Sequence, residues 1–362
     1  MTETSKQSIG LEKPLLNTLR WLSAFLVMGG HAFGWVLALD QPRFALFKYI
    51  IDLGFGGVVI FFVVSGYLVG GSVIRRADQF SWRDYSAARF ARIYIVLIPA
   101  LLLTCTLDGA VHLIAPNNPI YSHPWGRITD AVFSNYGLRN VAASVLSLES
   151  IIGRPLGSDD PLWSLGYEWF FYFLCPIAVI ASSRWLRLNG VLRILAPILL
   201  CVPMLLFHMN MLALYWAIWF SGAAASQINA PRLVGLVGLV LGIAGLAIMP
   251  FANIKASIAL EGLGFILLFA WPAAMQYRLN LKLDKILADL SYSLYVVHMP
   301  ILTIIAFALW QEGLMPLSRF SSFGPGLAAW ALMVTVCTGA AWLFSILFER
   351  RTDALKARLI GR

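Results

Sequence analysis

Charge is what this chain has least of. Only 12% of its 362 residues are Asp, Glu, Lys or Arg, about half of what a soluble domain uses to coat its surface, while 59% are hydrophobic. Water is therefore excluded as the main solvent. Cysteine is also scarce: Cys105, Cys175, Cys201 and Cys337 all fall inside apolar segments, which leaves none in the loops for a disulfide framework. A small-residue cleavage pattern is missing after the first apolar stretch, so that stretch is expected to be retained as a span rather than removed as a signal peptide. Internal repeats, low-complexity tracts and a second soluble domain are missing as well.

What is there is a series of long apolar runs. They lie near residues 15–39, 53–74, 93–115, 161–183, 191–208, 210–228, 233–250, 254–276, 286–310 and 324–348, each about the length that crosses a bilayer. The expectation is an all-α polytopic membrane protein of about ten transmembrane helices, forming one membrane domain over 1–362. Only His208, Met209 and Asn210 separate the fifth run from the sixth, and that pair reads equally well as re-entrant. With the N-terminus inside, twenty of the 27 Lys and Arg residues fall on the cytoplasmic side, so both termini are expected there. This makes 1–14 a cytoplasmic segment, 349–362 a cytoplasmic tail, and 116–160 an extracytoplasmic loop, with a short amphipathic helix expected near 138–152. The same bias accounts for the net charge of +9 without nucleic acid.

Ionisable residues at hydrocarbon depth are costly and mark candidate sites. Arg20 and His31 are eleven residues apart, about 1100° of helix, so they share one face, the Arg at the cytoplasmic mouth and the His near mid-membrane. Glu168, in the fourth run, sits at the depth of His31. A carboxylate there would orient the imidazole as a general base; an inert Glu–His pair has the same composition. Ser291, Tyr295 and His298 share a face of the ninth run and read either as a polar lining or as interhelical contacts. Asp108, His112 and Glu261 are weaker candidates nearer the outer surface. Arg75, Arg76, Arg83, Arg89 and Arg92 form the densest basic segment. Their guanidinium forks suit a phosphate-bearing donor, and lipid headgroups equally.

In order along the chain, several blocks resemble integral-membrane acyltransferase family 3, the O-acetylase type. Arg20 and His31 match its Arg-x10-His signature, and Phe61-Phe62-Val63-Val64-Ser65-Gly66-Tyr67 is similar to its Phe-Phe-x-x-Ser-Gly-Phe block. Arg89-Phe90-Ala91-Arg92-Ile93-Tyr94, Trp163-Ser164-Leu165-Gly166-Tyr167-Glu168, and Ser291 to Pro300 through Tyr292, Tyr295 and His298 resemble three more. Val59 stands where many members carry an acid, Tyr67 where Phe is commoner, and Ile95 where Pro often follows.

The resemblance implies an O-acyltransferase of the bacterial inner membrane. Acyl-CoA, commonly acetyl-CoA, would be the cytoplasmic donor and a hydroxyl of a glycan or lipid-linked glycan the acceptor, alongside polysaccharide synthesis or export machinery; no metal is expected. On this reading His31 and Glu168 are catalytic, and Arg20, Arg75, Arg76, Arg89 and Arg92 hold the donor phosphates. Ser65, Tyr67, Trp163, Ser164, Ser291, Tyr295 and His298 line the substrate path. The competing class is a secondary transporter or flippase using His and Glu as a proton relay, against which the missing internal repeat counts.

Overall fold

The computed structural model describes residues 13–37, 45–122, 132–185, 188, 196–278 and 284–361. The expected N-terminal segment up to 12, positions 123–131 of the outer loop, the start of the fifth apolar run and residue 362 lie outside the described residues, as do the side chains of 45–50 and 184–185. Among the described residues the fold is helical, with isolated bridges and no strand.

The first helix, α1 (Pro14–Val36), starts on a proline, whose fixed φ suits a first helical turn. Helix α2 (Ala45–Ser65) continues through a π-turn at Gly66–Gly70 into the short α3 (Gly71–Arg75). Helix α4 (Trp82–Ile114) begins eleven residues before the expected third span, because the Ser81 side chain accepts from the Asp84 amide and caps it. The outer segment holds α5 (Pro119–Ser122) and α6 (Leu138–Val145), followed by α7 (Trp163–Ile180). Helices α8 (Cys201–Leu206), α9 (Asn210–Ala225), α10 (Arg232–Ile248) and α11 (Ile254–Phe269) come next. The chain then forms α12 (Asp284–Gln311), α13 (Phe323–Leu347) and α14 (Thr352–Leu359).

Among the described residues, five stretches are long and apolar enough to cross a membrane: Ile51–Arg75, Trp82–Ile114, Asp160–Ser183, Asp284–Gln311 and Phe323–Leu359. The molecule is thus an all-helical membrane protein. Helix α1 has 23 residues but carries Arg20 and His31, whereas α9 and α11 have 16 each and α10 has 17, short of the roughly 20 that span the hydrocarbon.

At the centre, α1 packs against α2, α12 and α13, and α12 also meets α4. Thr18 and Trp21 of α1 both donate to Asp284 at the start of α12, at 2.8 and 2.7 Å. Trp330 of α13 donates to the Gly29 carbonyl at 3.1 Å, so the neighbour that uses the small residues before His31 is an indole. Helices α2 and α9 touch backbone to backbone. A methyl group on Gly66 would come within 1.8 Å of the Trp219 carbonyl oxygen, and one on Gly222 within 2.7 Å of that of Val63. Helix α6 stops at Val145 instead of running on to 152, because Ser147 and Ser150 turn the chain with φ of 52° and 61°. The loop is then pinned to α4, where Asp108 accepts from the Tyr136 hydroxyl at 2.7 Å and from the Ser158 amide and hydroxyl at 2.9 and 2.8 Å.

Candidate active site

One chamber of about 750 Å³ opens among α1, α2, α4, α7, α12 and the C-terminal segment. Three of the five predicted arginines, Arg20, Arg89 and Arg92, line it together with Glu168. Ser65, Ser164, Ser291 and Tyr295 line it too. The early start of α4 matters here, since it places Arg89 and Arg92 three helical residues apart on one face. Arg92 is held by Glu349 at 2.6 Å, and its guanidinium lies 5.0 Å from the Tyr292 ring centre. Arg89 lies 5.7 Å from the Tyr172 ring, with its Nε buried and unbonded.

The other predicted arginines fall elsewhere. Arg75 and Arg76 are exposed and outside the chamber wall, and Arg75 donates to Ser226 at 3.1 Å. They follow the π-turn, which ends α2 facing α9 rather than α4. Tyr67 is also outside the wall: its hydroxyl accepts from Lys13 at 3.3 Å and its ring meets Phe269. Trp163 packs on Tyr167 and Tyr215, behind the wall rather than in it.

Glu168 does not orient His31. Its carboxylate accepts from the Tyr172 hydroxyl, one turn along α7, at 2.7 Å. That hydroxyl accepts from Ser65 at 3.4 Å, and Ser65 accepts from the Trp219 indole at 3.1 Å. Three donors in a row thus fix a carboxylate on the chamber wall. The expectation of a Glu–His pair rested on depth along the helix axis, which is uninformative about azimuth.

The partner of His31 is His298, whose Nε2 lies 2.9 Å from His31 Nδ1, with the rings stacked at 5.2 Å. His298 Nδ1 faces two backbone carbonyls, those of Leu294 at 3.1 Å and Tyr295 at 2.8 Å. Carbonyls only accept, so this nitrogen carries the hydrogen and a neutral His298 presents Nε2 as an acceptor. His31 must then donate through Nδ1, which leaves its Nε2 as the basic nitrogen. This is how an imidazole is oriented for base chemistry, with a second imidazole in the place expected for a carboxylate. Neither His lines the chamber; the His298 ring is 5.9 Å from that of Tyr295, which does line it. The Tyr295 hydroxyl donates to the Pro161 carbonyl at 2.8 Å and so accepts from Ser164 at 2.5 Å.

Several wall residues escaped the sequence reading: Asp289, Tyr292, Glu349, Arg350 and Lys356. An acid at the head of a basic C-terminal tail, Glu349-Arg350-Arg351, is the one signal that could have drawn attention to the last group. Among the described residues no cluster of His, Cys, Asp and Glu could hold a metal ion.

Fold and chamber together define a helical membrane protein with a charged, hydroxyl-rich site enclosed by its helices. The acyltransferase domain that characterises acyltransferase family 3 matches residues 14–347, and the chain belongs to that family. It is 26% identical over 298 residues to an O-acetyl transferase of Shigella phage Sf6, covering 79% of this chain and 83% of the relative. It is 27% identical over 195 residues to acyltransferase MdmB of Streptomyces mycarofaciens, covering 52% and 46%. With nodulation protein 10 of Rhizobium leguminosarum bv. viciae it shares 26% over 184 residues, covering 50% and 48%. The chain thus spans about half the length of the last two relatives. No solved structure gives a significant match.

Proposed function

We propose that this protein is an inner-membrane O-acyltransferase that moves an acyl group, acetyl by preference, from cytoplasmic acyl-CoA to a hydroxyl of a glycan presented from the outer side. One observation carries the reading: a single chamber joins Arg20, Arg89 and Arg92 to a Ser164–Tyr295 end backed by the His298–His31 pair. The arginines hold the donor phosphates. The donor's flexible arm extends along the chamber and brings the thioester past Phe61 and Tyr295 toward His31. There His31 Nε2 takes the proton of the acceptor hydroxyl as its oxygen attacks the thioester carbon; the carbon–sulfur bond breaks and the thiolate leaves, to be protonated. Glu168, fixed by Tyr172, lies on the donor path and bears on its positioning rather than on the imidazole.

The acceptor approaches from the loop. A cleft of about 470 Å³ there is lined by polar groups, among them Asn135, Arg139, Asn140 and Ser150, which suit sugar hydroxyls.

Purified protein supplied with labelled acetyl-CoA and glycan acceptors tests the proposal. Wild type is expected to transfer label, and His31→Ala to lose transfer while inserting normally and still binding CoA. Turnover in His31→Ala above about a tenth of wild type removes the imidazole from the chemistry.

A further inference from the structure

The family match ends at residue 347, yet the chamber does not. Beyond α13 the chain makes a single tight turn, Glu349–Arg351, and enters α14. Five side chains of this segment, Glu349, Arg350, Thr352, Asp353 and Lys356, line the same chamber. Positions 350, 353 and 356 are spaced by three, which puts them on one side of the segment.

The segment is tied down at both ends. Glu349, 5% exposed, accepts from Arg92 at 2.6 Å and from the Ser293 amide and hydroxyl at 3.2 and 2.7 Å. At the far end Arg83 of α4 donates to the Ile360 carbonyl at 2.8 Å. Helix α14 is thereby laid along α4. Arg89 and Arg92 line the mouth from α4, and Arg350 and Lys356 line it from the C-terminal segment packed beside α4. Of the charged groups on the chamber wall, Arg20, Arg89, Arg92, Arg350 and Lys356 are cationic, against Glu168, Asp289, Glu349 and Asp353. Glu349 is already committed to Arg92 and Ser293, so the cations remain in excess for an anionic ligand.

We infer that Arg350 and Lys356 are donor-binding residues, adding the C-terminal segment's cations to Arg89 and Arg92 around the phosphates of acyl-CoA. The inference rests on the donor reading above. It assigns the C-terminal helix a role in substrate binding and Glu349 that of a positioning residue, which holds both Arg92 and the helix. A multiply charged nucleotide gripped by two segments makes more charge-assisted contacts than α4 alone offers, and each lost contact lowers affinity.

Calorimetric titration of CoA into the full-length protein in detergent, at several salt concentrations, is the test. Wild type is expected to bind, with affinity falling as salt rises. The double variant R350Q/K356Q is expected to bind about tenfold more weakly or worse, with a shallower salt dependence, and Lys356→Arg to retain most of the affinity. Arg358→Gln removes an exposed cation of the same helix that is not on the chamber wall, and is expected to stay within about twofold of wild type. Wild-type affinity in R350Q/K356Q, with binding intact in wild type, overturns this inference and leaves the proposed function standing. An equal loss in Arg358→Gln also overturns it, since general tail charge would then be the cause. A wild-type protein that binds no CoA removes the inference and the proposed donor together.

Discussion

Between two neutral imidazoles a hydrogen bond runs in only one direction once one ring is committed elsewhere, and at His298 the commitment is to the carbonyls of Leu294 and Tyr295. Removing that ring takes away the acceptor that selects the His31 tautomer. His298→Ala is therefore expected to lower kcat by roughly a hundredfold with the donor KM and CoA affinity unchanged. His298→Gln, whose amide oxygen can accept from His31, should recover part of the loss. Steady-state kinetics with both substrates read this directly, and a rise in donor KM matching the fall in kcat shows His298 to be structural instead. His31 could be singled out in the sequence, because an imidazole in an apolar run on one helical face with an arginine is conspicuous. Its partner could not. Glu168 and His298 both lie at plausible depths, and depth along a helix axis says nothing about which helix is adjacent or which way a side chain turns.

At the level of elements, the outer segment is held down by buried acids. Glu149 is 0% exposed, and burial pushes its carboxyl up to about 8; Asp159 beside it is raised well above the usual carboxylate range, by burial first and by Glu149 second. A folded-state value above the ordinary 4.5 means that the folded loop keeps a proton the unfolded chain has given up. The stabilisation is complete below about 4.5 and declines as pH rises toward about 8, by up to about 1.4 kcal/mol per pH unit for one proton. Hydrogen exchange over residues 138–160 is expected to be slow at pH 5 and faster at pH 9 after correction for intrinsic rates, and Glu149→Gln should flatten the difference. A pH-independent loop in the wild type refutes the assignment. These acids were not singled out in the sequence, because Glu149 and Asp159 occupy a polar loop where carboxylates are ordinary. Helix α4 is similar: its capping signal Ser81-x-x-Asp84 was present in the sequence, but hydropathy reported only the apolar part of the helix, from about residue 93, and so left Arg89 and Arg92 in a loop.

For the molecule as a whole, the proposed reaction brings donor and acceptor together across the bilayer, which requires the two faces to differ. On a cysteine-free background, Asp78→Cys is expected to react only with reagents that reach the cytoplasm and Leu138→Cys only with impermeant reagents added outside, both positions being exposed. Labelling of both from one side sinks the cross-membrane reaction. Membrane character, helical class and family could be read from the chain alone, since an apolar excess and ordered motifs survive without coordinates. The positive-inside tally likewise supplied the sidedness that this labelling tests. Only the tertiary structure decided which arginines share a chamber, that His31 bonds to His298 and not to Glu168, and that the C-terminal helix lines the mouth. The physical reason is common to all three. Sequence spacing determines height and phase on one helix, but neighbours are chosen by how helices rotate and pack, and here that is set by close contacts such as Gly66 on the Trp219 carbonyl and Glu349 on Arg92.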